Sequence, residues 1–123
     1  MTISEVIADV NRYRPNHKAG DIEIIKWLSR FDAKVKADIM DFCFESPEFN
    51  GYGVGTDRNT ELLIKEPQFA DLYRHYILAQ VDLLQADEER YATERALADE
   101  MYTRFQGWYL DHHKPKPKFT RYW

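Results

Sequence analysis

Three alternating glycines, Gly51, Gly53 and Gly55, form the pattern that most strongly invites a chemical interpretation, because glycine-rich loops can cradle phosphate groups. Their spacing is G-x-G-x-G, whereas dinucleotide-binding sites use G-x-G-x-x-G. No apolar strand precedes the run, no helix follows it directly, and the sequence holds no Gly-Lys-Ser/Thr phosphate loop. The glycines therefore predict a flexible loop, and the sequence indicates no cofactor.

Histidines and carboxylates are the next candidates, since helical bundles hold metal ions with inward-facing Glu-x-x-His pairs. No such pair occurs, and Leu72 stands three residues before His75. Asp71 and His75 lie one helical turn apart and could share a metal, but a surface hydrogen bond is the commoner outcome of that spacing. His112 and His113 are adjacent, so on a helix they point apart. The sequence predicts no metal site.

Candidate nucleophiles and acid–base pairs are also sparse. Cys43 is the only cysteine and has no activating neighbour in the sequence, so we predict a buried structural thiol. Glu88 and Glu89 are consecutive and diverge on a helix, which indicates a solvated turn and not a paired catalytic acid and base. We expect no catalytic residue and no enzymatic activity.

The compartment is predicted from what the sequence lacks. A single cysteine forms no internal disulfide, as is typical of a reducing interior such as a bacterial cytoplasm. The first residues lack the basic and apolar regions of a signal peptide. No run approaches the roughly 20 apolar residues of a membrane span. We expect a soluble protein that is not secreted and does not enter a membrane.

Hydrophobic periodicity predicts that helices position these residues. Thr2 and Glu5 have the spacing of a capping box, and the first helix that they begin ends at Pro15. A second helix of about 22 residues starts at Asp21. Asp32 is assigned to its solvated side. The predicted buried stripe of this second helix comprises Ile22, Ile25, Leu28, Val35, Ile39 and Phe42.

A third helix is predicted to start near Pro67. The apolar pattern pauses at residues 87–90 and resumes at Tyr91. The pause fits either a tight turn between two antiparallel helices or a bend in one long helix, and the antiparallel pair is favoured because it buries both stripes in one domain. The predicted buried face of the third helix comprises Phe69, Leu72, Tyr73, Tyr76, Ile77, Leu83 and Leu84.

Residues 45–66, between the second and third helices, show no hydrophobic period. A loop longer than about 15 residues in a compact domain is usually functional or mobile. Residues 60–64 fit a short strand or an extended arm, and residues 49–52 are a candidate partner for them in a short β-hairpin. The fold class is therefore all-α, a bundle of about four helices with a long loop that contains this candidate hairpin.

Charge divides the chain into two parts. The net charge is −4, and all 21 Asp and Glu residues lie in residues 1–111. This acidic body argues against a general DNA-binding surface, because it repels a nucleic-acid backbone. We interpret residues 1–111 as a helical domain and residues 112–123 as a basic, aromatic tail. Pro115 and Pro117 predict that the tail is extended.

Aromatic residues make up 15% of the chain, more than one small core needs. Those at helix ends or in the loop would be partly exposed in a monomer, which favours an oligomer or a docking surface. In the tail, aromatic residues follow cations, so the tail is interpreted either as an arm that binds a partner chain or nucleic-acid phosphates, or as a disordered solubilising end. The aromatic residues at helix ends or in the loop are Tyr13, Phe44, Phe49 and Tyr52.

Many short segments over residues 2–115 have the order and spacing of one known family. They are Thr2-Ile3, Glu5-Val6-Ile7, Pro15-Asn16, Lys26-Trp27-Leu28-Ser29 with Asp32, Thr60-Glu61-Leu62-Leu63-Ile64, Pro67, Asp71-Leu72-Tyr73, Tyr76, Ala79-Gln80, Asp82, Glu89-Arg90-Tyr91, Phe105, Trp108-Tyr109, and His113 with Pro115. In this order the chain resembles the small head–tail connector (head completion or adaptor) proteins of tailed bacteriophages and prophages. It departs from them at Ala92-Thr93-Glu94, where relatives have an Asn-rich step, and in residues 116–123, which extend past the usual end.

The resemblance implies a structural subunit, made in the bacterial host cytoplasm, that forms a ring in the virion neck. Its expected partners are further copies of itself, the portal protein and tail-side connector proteins, with DNA only as passing cargo. The alternative is a small helical interaction or regulatory module that acts as a monomer or dimer. The expected contact residues are Phe49, Tyr52, Gly53, Val54, Gly55, Leu62 and Leu63 in the loop, and Lys114, Lys116, Lys118, Phe119, Arg121, Tyr122 and Trp123 in the tail.

Overall fold

The structure is a computed structural model that describes residues 1–116. Within them the chain forms four α-helices and two short 3₁₀ turns, with isolated bridges but no strand, which confirms the all-α bundle. The helices are α1 (Ile3–Tyr13), α2 (Asp21–Asp38), α3 (Asp71–Leu84) and α4 (Glu88–His112), and the 3₁₀ turns are Met40–Phe42 and Pro67–Phe69.

The predicted capping box begins α1. The Thr2 hydroxyl accepts the Glu5 N–H at 3.2 Å, and the Glu5 carboxylate accepts the Thr2 N–H at 3.1 Å. Each side chain thereby satisfies a backbone donor that the first helical turn leaves free. The buried residues of α1 are Ile3, Val6, Ile7 and Val10, which recur at helical spacing and form one stripe.

The second helix is shorter than predicted, with 18 residues, because its backbone leaves the α-helical conformation at Ile39 and continues as a 3₁₀ turn. The change of period moves Phe42 off the stripe, and it is 59% exposed. Ile22, also predicted to be buried, is exposed, and Ile24 is buried in its place. Asp32, assigned to the solvated side, is wholly buried.

The chain turns tightly between α3 and α4, which pack against each other as the predicted antiparallel pair. Ala86 adopts a positive φ of 57° in the turn, and Asp87 caps α4 by accepting the Arg90 N–H at 3.2 Å. Leu83 and Leu84, predicted to be buried, are 56% and 50% exposed. They lie in the last turn of α3, at the tip of the pair.

The far end of α4 completes the core with aromatic rings. Phe105 packs edge-on against Phe69 with ring centroids 5.2 Å apart. The ring centroid of Tyr109 lies 5.6 Å from that of Phe105. Cys43 is buried, as predicted for a structural thiol, and burial raises the pKa of its sulfhydryl group. The helix includes His112, which we had placed in the non-helical tail.

Candidate protein-interaction site

The long loop is anchored by a buried carboxylate. Asp32 of α2 accepts three hydrogen bonds: its Oδ1 from the Tyr73 hydroxyl at 2.6 Å, and its Oδ2 from the Tyr52 hydroxyl and from the Leu63 N–H at 3.1 Å. The Tyr73 hydroxyl in turn accepts the Ile64 N–H at 2.9 Å. One carboxylate therefore joins α2 and α3 to both halves of the loop. We call Asp32 and the hydrogen bonds that it accepts the anchor.

The electrostatics keep these tyrosines protonated. Burial raises the pKa of Asp32, although the hydrogen bonds from Tyr52, Tyr73 and Leu63 oppose the rise. Burial and the neighbouring Asp32 carboxylate raise the pKa of Tyr52 and that of Tyr73. Both phenols therefore remain donors, and the carboxylate oxygens of Asp32 accept their hydrogen bonds.

The first half of the loop lies close against α2 at a glycine. Gly51 has a φ of 90°, a conformation that residues with a side chain rarely adopt. A Cβ atom there would also lie 3.2 Å from the Ser29 hydroxyl. That hydroxyl accepts the Tyr52 N–H at 3.0 Å, so the chain passes close to α2 at this point.

The tip of the loop is a closed turn that presents an apolar side chain. The Gly53 N–H donates to the Thr56 hydroxyl at 2.8 Å, and the Thr56 N–H donates to the Gly53 carbonyl at 3.1 Å. Val54, between them, is 76% exposed, the largest exposed fraction among the exposed large apolar residues of the described chain. Gly55 is exposed beside it. The predicted contact residues Gly53, Val54 and Gly55 are thus brought together on a defined turn.

The predicted hairpin between residues 49–52 and 60–64 is wrong. The second half of the loop pairs with the chain around the start of α1, where Thr2 and Glu61 form an antiparallel bridge and the Ile3 N–H donates to the Thr60 carbonyl at 3.2 Å. This pairing buries Leu62 in the core. Leu62 is therefore not the contact residue that we expected.

The other predicted loop contacts serve the anchor. Tyr52 is half-buried with its hydroxyl on Asp32, and Phe49 packs edge-on against it with ring centroids 4.9 Å apart. Leu63 is half-buried, and its N–H is held by the same carboxylate. These residues fix the position of the loop and leave its tip exposed.

The described start of the tail binds its own chain. The Phe44 N–H donates to the Lys114 carbonyl at 3.1 Å, and the Lys116 N–H donates to the Phe42 carbonyl at 2.8 Å. The Lys114 ammonium lies 5.7 Å from the centre of the Phe44 ring. This antiparallel bridge confirms that the segment around Pro115 is extended. The other predicted tail contacts lie outside the described residues: Lys118, Phe119, Arg121, Tyr122 and Trp123.

Sequence reasoning missed a cleft of about 220 Å³ between α2, α3 and α4, which we term the aromatic groove. Phe31 packs against Tyr76 with ring centroids 4.5 Å apart and against Tyr102 at 6.0 Å. Lys34 and Arg95 also line it, and the Lys34 ammonium lies 4.9 Å from the centre of the Tyr102 ring. The signal in the sequence was weak, because aromatic residues at helical spacing also form ordinary cores.

The histidine and carboxylate pair considered for a metal does not form. His75 Nδ1 lies 2.6 Å from Glu94 Oε2 across the helix pair, and Asp71 binds Arg74 at 3.2 Å. No group of three or more His, Cys, Asp or Glu residues in residues 1–116 is arranged to hold a metal ion.

A second buried carboxylate ties α1 to the helix pair. Asp82 is wholly buried and receives both Nε and Nη2 of Arg14, at 2.7 and 2.9 Å. Glu94 lies 3.7 Å from the same guanidinium, and the hydrogen bond to Asp82 raises the pKa of Arg14. Because the guanidinium and the buried carboxylate bind each other in a two-pronged ion pair, we assign the pair to the framework of the fold.

Comparisons of the chain with protein-family models, with curated proteins and with solved structures find no match. Among the helices of residues 1–116, none has the length and apolar character needed to cross a membrane. The surfaces of the described chain that could bind another molecule are the loop tip, the aromatic groove and the exposed apolar side chains.

Proposed function

We propose that the chain is a structural subunit of a phage or prophage head–tail connector, which assembles as a ring between portal and tail and forms part of the DNA conduit. The observation that carries the proposal is the loop, because its base is fixed by buried Asp32 while its tip presents Val54 to solvent. In the connector, this tip contacts the portal protein or a neighbouring subunit.

A preformed loop suits an assembling protein for an energetic reason. Ordering a mobile interface segment opposes association by roughly 0.5–1.5 kcal/mol per immobilised side chain. Here Tyr52 is already held by Ser29 through its N–H and by Asp32 through its hydroxyl, so much of that cost is met when the chain folds. Binding at the tip then requires little further ordering.

The exposed apolar residues support several contacts per subunit. Val54 lies on the loop, Phe42 and Phe44 flank the tail bridge, and Leu83 and Leu84 end α3. A ring subunit needs two different surfaces for its neighbours and a third for the portal.

The charge is compatible with a conduit. The chain has a net charge of −4, and its acidic residues lie in the helical body. A wall of this sign does not attract phosphates, so DNA can pass as cargo without being held.

The test is assembly on the portal protein encoded in the same genome, followed by negative-stain electron microscopy and light scattering. We expect the wild-type chain to add a ring of density to the portal. The variant Val54→Asp should lose it, because a carboxylate would be desolvated at the contact, and Val54→Ile should retain it. The experiment leaves the anchor residue Tyr52 in place.

Failure of the wild-type chain to bind portal protein at any concentration would refute the connector function. A chain that stays a monomer or dimer with portal present would instead favour the alternative, a small helical interaction or regulatory module. If Val54→Asp assembles on the portal as well as wild type does, the connector function stands, and the loop tip is not part of the interface.

A further inference from the structure

On a protein of net negative charge, two cations of α2 border the aromatic groove on one side. Lys34 lines the groove, and Arg30 lies one turn earlier on the same face of α2. In the part of the chain that the structure describes, neither Arg30 nor Lys34 forms an ion pair. Arg95, across the groove, is paired with Asp99 at 3.1 Å.

The tip of the α3–α4 pair has the complementary composition. Leu83 and Leu84 are half or more exposed at the end of α3, and Glu88 and Glu89 are exposed in the first turn of α4. Within residues 1–116, neither glutamate has an ion-pair partner. We call these four residues, at the turn of the α3–α4 helical hairpin, the hairpin tip.

We propose that the hairpin tip of one copy docks in the aromatic groove of a second copy. The leucines cover the rings of Tyr76 and Tyr102, and the glutamates meet the cations of α2. This inference rests on the proposed function and specifies it, because it names the surface through which copies join.

The tip cannot fill the groove of its own chain. Glu88 and Arg95 lie on the same rigid helix, seven residues apart, which is a separation of about 10 Å along the axis. Leu83 and Tyr76 are held apart on α3 in the same way. The occupant must come from another molecule, and a contact between two different patches repeats from copy to copy and closes a ring where the rotation allows.

The two patches match in chemistry as well as in charge. Aromatic walls beneath a cationic rim gain from covering by aliphatic side chains, and the carboxylates next to those side chains neutralise the rim. A nucleic-acid strand would also meet the cations, but the acidic residues of the surrounding body oppose it.

The test is a charge-swap experiment with sedimentation velocity over a concentration series. The groove variant carries Arg30→Glu and Lys34→Glu, and the tip variant carries Glu88→Lys and Glu89→Lys. We expect each variant alone to associate at least about a hundredfold more weakly than wild type, because like charges then face each other. An equimolar mixture should regain wild-type association, since every tip then meets a groove of opposite charge.

The control for the groove variant makes the same change of net charge with Lys18→Glu and Lys65→Glu, at residues that are exposed and lie outside the groove. It should associate like wild type, and circular dichroism should give the same helix content for all variants. A second tip variant, Leu83→Ser with Leu84→Ser, removes only exposed side chains and should weaken association without loss of fold.

The inference is overturned if the charge variants assemble like wild type, if the mixture fails to recover, or if wild type stays monomeric at millimolar concentration and on the portal. In the first two cases rings on the portal would still support the connector function. In the third case the proposed function fails as well, so the two failures are distinguishable.

Discussion

Truncation of Asp32 tests whether the buried carboxylate holds the loop. In Asp32→Ala the buried Tyr73 hydroxyl loses its acceptor, as do the Leu63 N–H and the Tyr52 hydroxyl of two half-buried residues. A buried donor left without a partner costs about 1–3 kcal/mol, and half-buried donors cost less because water reaches them. Relief of the buried charge offsets part of this, so we expect a loss of about 3 kcal/mol in the free energy of unfolding.

The measurement is urea unfolding followed by far-ultraviolet circular dichroism, together with hydrogen exchange at the amides of residues 63 and 64. Protection should fall more at these amides than at the amides of α1. The matched control, Tyr52→Phe, removes one hydrogen bond of a half-buried hydroxyl and should cost about 1 kcal/mol. A loss below about 1 kcal/mol for Asp32→Ala, with unchanged exchange in the loop, would refute the anchor.

The raised pKa of Asp32 predicts that the stability of the protein depends on pH. This pKa is raised above the ordinary value of 3.8 in the folded state, so the native protein binds this proton more tightly than the unfolded chain does. The contribution to stability is full below pH 3.8 and is lost as the pH rises through the native pKa. Wild type should therefore gain stability relative to Asp32→Asn as the pH falls towards 4. The opposite slope in paired urea titrations would contradict the raised pKa.

Two further substitutions probe the loop. Gly51→Ala should cost about 1–2 kcal/mol in unfolding free energy, because of its positive φ and the contact with Ser29, whereas Gly53→Ala has open space around its Cβ and serves as the control. Leu62→Ala should cost about 2–5 kcal/mol as a wholly buried side chain, while exposed Val54→Ala should change stability by less than about 0.5 kcal/mol. Urea midpoints measure both pairs, and equal effects within either pair would contradict the placement of the loop.

Elements governed by neighbouring residues could be predicted from the sequence. The capping box at Thr2 and Glu5 and the polar interval before α4 are local signals, and the structure contains both features where they were expected. The end of α2 could not be predicted in this way, because the change to a 3₁₀ turn after Asp38 has no proline or glycine to mark it.

The anchor was missed because it depends on contacts between residues far apart in the chain. Asp32 lies 20 residues from Tyr52 and 41 residues from Tyr73, and a helical period assigns a charged residue to solvent. Tyr73 lies within an apolar stripe, so the sequence does not indicate that its hydroxyl donates to a carboxylate. The partner of residues 60–64 was mistaken for the same reason, since a strand-like pattern does not specify what it pairs with.

The raised pKa of Asp32 also explains what the anchor provides. An ionised group whose pKa is raised by burial makes the folded state less stable at neutral pH than a neutral group with the same hydrogen bonds would. Its value therefore lies in specificity, which is an established use of buried polar groups in some folds. A slip of one residue in residues 60–64 would turn Leu62 and Ile64 out of the core and leave the carboxylate without the Leu63 N–H. Only one register satisfies both conditions, so every copy of the chain holds Val54 in the same position, which suits the repeating assembly that we propose.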